Sequence, residues 1–82
     1  MESSGTQPSQ PVSVMALTLN PAKPDAVYAG TEHHGVYRSA DAGETWEQWG
    51  LSETSVYAIL LDSASKLIWA GTKEGIFMRE LD

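Results

Sequence analysis

The feature that most constrains this chain is that it repeats. Ser55–Leu61 (SVYAILL) restates Ser13–Leu19 (SVMALTL), with Ala16 and Ala58 as anchors 42 residues apart. Ile68-Trp69-Ala70-Gly71-Thr72 restates Val27–Thr31 at an offset of 41, and Gly75-Ile76-Phe77-Met78 restates Gly35–Arg38 at 40. The two residues lost between the first and last matches fall in turns, where deletions are tolerated. Each matched run is short and rich in β-branched, aromatic and aliphatic residues, and each is bounded by Gly, Pro, Asn or Asp. Those are strand signals. Gly and Pro punctuate the chain too often for a helix of about ten residues to form. A period near 40 built of short strands is the pattern of a stacked β-repeat.

The spacing predicts strands over 14–19, 26–30, 35–39, 45–49, 56–61, 67–71 and 75–79. The run from Val12 to Leu19 is apolar at nearly every place, as in a strand covered on both faces. Asn20-Pro21-Ala22-Lys23-Pro24-Asp25 reads as a turn, since two prolines deny it ladder donors. Strand order within each unit is expected to be sequential, with the first strand innermost. Two twisted antiparallel meanders packed face to face follow. Residues 1–11, rich in Ser, Gln and Pro, have nothing to bury and read as a disordered tail. The first unit then spans 12–50 and the second, incomplete, 51–82. After Arg79 the second unit has no further Thr-Trp and no fourth run.

Between the third and fourth runs lies Ser39-Ala40-Asp41-Ala42-Gly43-Glu44-Thr45-Trp46. Its residue types fit a hairpin locked by its own side chains. Asp41 is short enough to accept from backbone N–H groups about two residues on. Gly43 supplies the positive φ of a tight turn. Ser39 can donate or accept locally, and Thr45 is expected to restart the strand. Trp46 is expected to fold over the turn and bury its ring, with one acceptor for its indole N–H. On average residue usage, five such matches at fixed spacing arise at roughly one in several million positions.

S-x-D-x-G-x-T-W at Ser39–Trp46 resembles the Asp-box, or bacterial neuraminidase repeat, and all five defining positions match. The approach through Tyr28-Ala29-Gly30-Thr31 and Gly35-Val36-Tyr37-Arg38-Ser39 is similar to repeats that carry this box. The resemblance covers about Val12 to Arg79. It implies an all-β fold, a β-propeller fragment of two antiparallel meander blades, one four-stranded and one about three-stranded. In that family the box joins the third and fourth strands of a blade. It occurs in sialidases, xyloglucanases, sortilin-type receptors and photosystem II assembly factors. The box is therefore informative about fold and silent about activity, and Ser39, Asp41, Gly43, Thr45 and Trp46 are expected to be structural.

The remaining residues narrow the function by exclusion. The formal charge is −6 with only 5 Lys plus Arg, so no basic stripe can track phosphates and no nucleic-acid groove is expected. Acidity equally disfavours an anionic membrane surface. The absence of cysteine removes disulfides and thiolate metal sites. No apolar run approaches the length of a spanning helix, and the N-terminal stretch lacks the pattern of a secretory signal. The expectation that follows is either a cytoplasmic protein or a longer secreted precursor whose true start is absent. His33-His34 invites a metal reading, but adjacent residues in an extended run point to opposite faces and no third ligand recurs, so they read as polar turn residues. Asp41, Glu44 and Glu47 offer carboxylates for glycoside chemistry. In the resembled family, however, the box lies on the rim, away from the axial site, and a sialidase-like site needs an arginine cluster where this chain has only Arg38 and Arg79. Of the tryptophans, Trp69 aligns with Tyr28 and reads as packing between blades, and Trp49 is the better candidate for an exposed contact.

The expected function is that of a non-enzymatic repeat module with no catalytic residue, metal or cofactor, acting in assembly or protein interaction. The alternative is a piece of a larger sialidase-like or xyloglucanase-like glycoside hydrolase whose catalytic residues lie elsewhere. Two blades leave two faces open and an edge unpaired, so self-association or docking onto other propeller blades is expected. Closure into a ring would take about three or four copies.

Overall fold

The computed structural model describes residues 13–81; the expected tail at 1–11 lies outside them. The described residues form seven strands in two antiparallel sheets and contain no helix, so no helix among them could cross a membrane. The first sheet holds β1 (Val14–Asn20), β2 (Lys23–Thr31), β3 (Val36–Ser39) and β4 (Glu47–Gly50) in sequential order. The second holds β5 (Val56–Asp62), β6 (Leu67–Thr72) and β7 (Gly75–Glu80), also in order. β1 and β2 lie against β5, which brings the two sheets face to face.

Three strand starts move from their expected places, each for a local reason, and six strands end one residue later than expected. β2 starts at Lys23, ahead of the expected 26, because Asn20 pairs with Lys23 across a two-residue turn. The Asn20 side chain tightens that turn by accepting the Ala22 N–H at 2.9 Å. Pro24 is admitted because β3 pairing begins only at Val27, so no neighbour asks Pro24 for a donor. β3 starts at Val36, since Gly35 turns the chain with φ 73°. β4 starts at Glu47, because Thr45 and Trp46 are held in the preceding loop.

The repeat seen in the sequence is repeated in the hydrogen bonding. In the first sheet Val14 pairs with Thr31 and Ala16 with Gly30, with a bulge between. In the second Val56 pairs with Thr72 and Ala58 with Gly71, with a bulge at the same place. Met15 and Tyr57 are the matching extra residues. Even the turn after the second strand repeats: Thr31 Oγ1 donates to the Gly35 carbonyl at 2.7 Å, and Thr72 Oγ1 donates to the Gly75 carbonyl at 2.7 Å.

The core sits between the sheets. Tyr28, Val36, Val56, Ile68 and Ala70 are buried together, with Trp49, Leu51, Ile59, Leu61 and Leu81 packed around them. Close approach is made possible by Gly30. A Cβ there would lie 2.8 Å from Val56 Cγ1 and 3.1 Å from Ile59 Cδ1. The link between the sheets is fixed by main chain. Gly35 N–H donates to the Thr54 carbonyl at 2.9 Å, and a Cβ on Gly35 would stand 2.3 Å from the carbonyl oxygens of Gly50 and Leu51. His33 N–H donates to the buried Ser55 Oγ at 3.1 Å.

Candidate functional site

The loop between β3 and β4 is closed by the five residues singled out above, four through side chains and Gly43 through its backbone, though not in every expected way. Ser39, fully buried at the end of β3, sits at its centre. Its hydroxyl donates to Asp41 Oδ1 at 2.7 Å and accepts the N–H groups of Gly43 at 2.8 Å and Asp41 at 3.2 Å. Asp41 accepts from a residue four positions on rather than two: Thr45 N–H donates to Oδ1 at 2.9 Å, and Thr45 Oγ1 donates to Oδ2 at 2.6 Å. Thr45 therefore closes the loop instead of restarting the strand. Ala42 and Gly43 turn the chain at φ 61° and 95°. Trp46 folds back, and its Nε1–H donates to the Gly43 carbonyl at 3.0 Å. The expectation of a buried ring is corrected: Trp46 is half-buried, and Asp41 itself is exposed.

The electrostatics of the loop follow from these bonds. Donation from the Thr45 hydroxyl, then from the Thr45 N–H and the Ser39 hydroxyl, lowers the Asp41 carboxyl from its ordinary 3.8 to about 2. A general acid needs the opposite shift, and here both carboxylate oxygens already hold donors from the loop. Asp62, the last residue of β5, is lowered by the same kind of contact, chiefly with the Ser65 hydroxyl in the following turn. Glu47, also weighed as an acid, forms an ion pair with Arg38 at 2.9 Å across β3 and β4. His33 and His34 lie in the turn before Gly35, and among the described residues no group of three His, Asp or Glu side chains is placed to hold a metal.

A second constellation lies between the sheets. Trp49 on β4 meets Tyr28 edge-to-face, with centroids 5.0 Å apart and planes at 67°. The Arg79 guanidinium from β7 covers the other side of Trp49, 3.8 Å from its ring centroid, and also donates to the Trp49 carbonyl. This ring pair and cation tie the outer strands of the two sheets together. Beside them is a gap of about 220 Å³, lined by residues including Val36, Trp49, Ile59, Phe77 and Arg79. Trp49, expected to be an exposed contact, is thus half-buried in the join, whereas Trp69 faces solvent. The two arginines serve different partners, Glu47 and Trp49.

No family model, curated protein or solved structure matches this chain. Its chemistry is therefore read from its own residues, and these divide cleanly. The polar cluster at Ser39–Thr45 is directed inward on the loop's own backbone. The large apolar side chains Leu17, Leu19, Leu60, Trp69, Ile76 and Met78 face solvent. Sequence reasoning located the first and expected two open faces, without naming the residues that would line them. The signal for those residues lay in the alignment of the repeats, since equivalent residues of two stacked units cannot all face the one interface between them.

Proposed function

We propose that this chain is a non-enzymatic repeat module of a β-propeller, carrying an Asp-box-type loop, and that its work is to pack its sheets against further blades or against a protein partner. The observation that supports this reading best is the recurrence of one register in both sheets, down to the bulge at Met15 and Tyr57. A module that stacks copies of itself needs this sameness, and a single-site enzyme does not. The loop supports it as well, because the acceptors of Asp41 are engaged in holding the turn. The test joins stability to chemistry. Asp41→Ala is expected to lower the denaturant midpoint, and neither it nor the native chain is expected to hydrolyse fluorogenic sialosides or β-glucosides. Turnover by the native chain, lost in an Asp41→Ala protein of undiminished stability, would make the loop an active site and defeat the reading.

A further inference from the structure

The repeat gives the matched runs of β1, β2 and β3 equivalents in β5, β6 and β7, and the buried interface uses opposite faces of the two sheets. From the first sheet it takes the Tyr28–Gly30 face; Gly30 receives Val56 and Ile59. From the second it takes the face of Val56, Ile59, Ile68 and Ala70, where Ile59 pairs with Ala70 and Leu61 with Ile68. The sheets are therefore stacked in the same sense, front to back. Each half of this interface has an unused twin on the far side of the other sheet.

Several twins keep the apolar character of their buried counterparts and lack their cover. Val56 is 0% exposed, and its equivalent Val14 is 53% exposed. Ile59 is half-buried, and its equivalent Leu17 is 64% exposed. On the other side, Tyr28 is 3% exposed and its equivalent Trp69 is 37% exposed. Trp69 lies in a cross-strand row with Leu60 and Met78, both exposed. Most telling is Gly71, the equivalent of Gly30. A Cβ at Gly71 would meet only Ala58, at an ordinary 3.7 Å. Among the described residues nothing else lies within 4 Å of that position.

Building on the blade reading above, we propose that the occupant is a second copy of this chain, stacked head to tail. The Val14–Leu17–Leu19 face of one copy covers the Leu60–Trp69–Gly71 face of the next, and Gly71 receives Val14 and Leu17 as Gly30 receives Val56 and Ile59. The interface is heterologous. It closes into a ring where the rotation from sheet to sheet divides a full turn and runs on as a filament where it does not. The edge of β7, unpaired among the described residues, is a different surface and would give a different contact.

Sedimentation velocity on the full chain, over a concentration series into the micromolar range, tests this. The native chain is expected to associate with concentration. Leu17→Asp blocks one face, and Leu60→Asp and Gly71→Val block the other; each is expected to weaken association at least about tenfold. The altered positions are exposed or open, so far-UV circular dichroism should be unchanged, and the two variants of one face check each other should either misfold. The decisive arm is a mixture. Leu17→Asp keeps an intact Gly71 face and Leu60→Asp keeps an intact Val14 face, so together they should form a one-to-one dimer that neither forms alone. A native chain that is monomeric throughout overturns the proposal, as do variants that associate like the native chain or a mixture that yields no dimer. Monomeric behaviour would leave the blade reading standing, since that rests on the register shared by the two sheets and is tested separately at Asp41.

Discussion

The two sheets are built on one register and meet different fates. In the first, the strand pair β1–β2 carries its glycine against a packed neighbour, its third strand is followed by a locked loop and a fourth strand, and its β2–β3 turn is clasped by the linker. In the second, the same pair carries its glycine with only Ala58 in ordinary contact beside it, and the β6–β7 turn closes on Gly75, around which a Cβ would meet none of the described residues within 4 Å. Identical local pairing thus yields a core on one side and a surface on the other. What separates them is only whether another sheet has been laid on top. Strand formation here belongs to the local sequence, and burial belongs to the stack.

That contrast can be broken most severely at its glycines. Gly30→Val forces a side chain into Val56 and Ile59, and overpacking of this kind should cost about 3 kcal/mol. Gly71→Val should leave the isolated chain within about 0.5 kcal/mol of the native value. Chemical denaturation at concentrations low enough to suppress association compares the two. Next come the paired valines. Val56→Ala empties a fully buried position and should cost about 2 kcal/mol, whereas Val14→Ala should fall within about 0.5 kcal/mol of the native chain by the same measurement. Equal losses at 14 and 56 would mean that the outer face is covered in the single chain. Trp46→Ala removes a half-buried ring and one indole hydrogen bond, and thermal unfolding should register about 1–2 kcal/mol.

How much of this was legible in the sequence follows from the same distinction. All seven strands could be read, because β-branched runs between Gly, Pro and Asn are local signals. The Ser39–Trp46 loop could be read as self-locked, because its residues bond to one another. The sequence did not show that Thr45 would close the loop rather than open β4, since a β-branched residue suits either. Nor did it show which tryptophan would be covered. Trp69 was expected to pack between sheets and Trp49 to be exposed, and the single chain has the reverse. Face assignment depends on which side of each sheet the neighbour lies, and alternation alone cannot supply that.

The smallest effect is in acid. The folded Asp41 carboxyl sits at about 2 against an ordinary 3.8, so the folded state holds its proton less tightly than the unfolded state. The sign follows. This group's stabilising contribution is complete above about pH 4 and is lost as pH falls through about 2. Asp62, lowered for similar reasons, acts in the same direction. Asp41→Asn should therefore flatten the acid limb of a stability–pH profile followed by circular dichroism, and an unchanged slope would show that the loop bonds persist in the unfolded chain. The second sheet, which has no such loop, supplies only the Asp62 part of the effect.

The clasp between the linker and the β2–β3 turn bears on how the molecule opens. Gly35 N–H lies in a turn, where amides ordinarily exchange with solvent through small fluctuations. Its acceptor is Thr54, on the far side of the crossing to β5, and the backbone of Gly50 and Leu51 fills the space beside it. Releasing that amide requires moving the linker that joins the two sheets. Its deuterium uptake should therefore be slow and should track global unfolding, making a turn residue as protected as a core strand. Slow exchange at this turn would mean that the two halves open together as one cooperative unit.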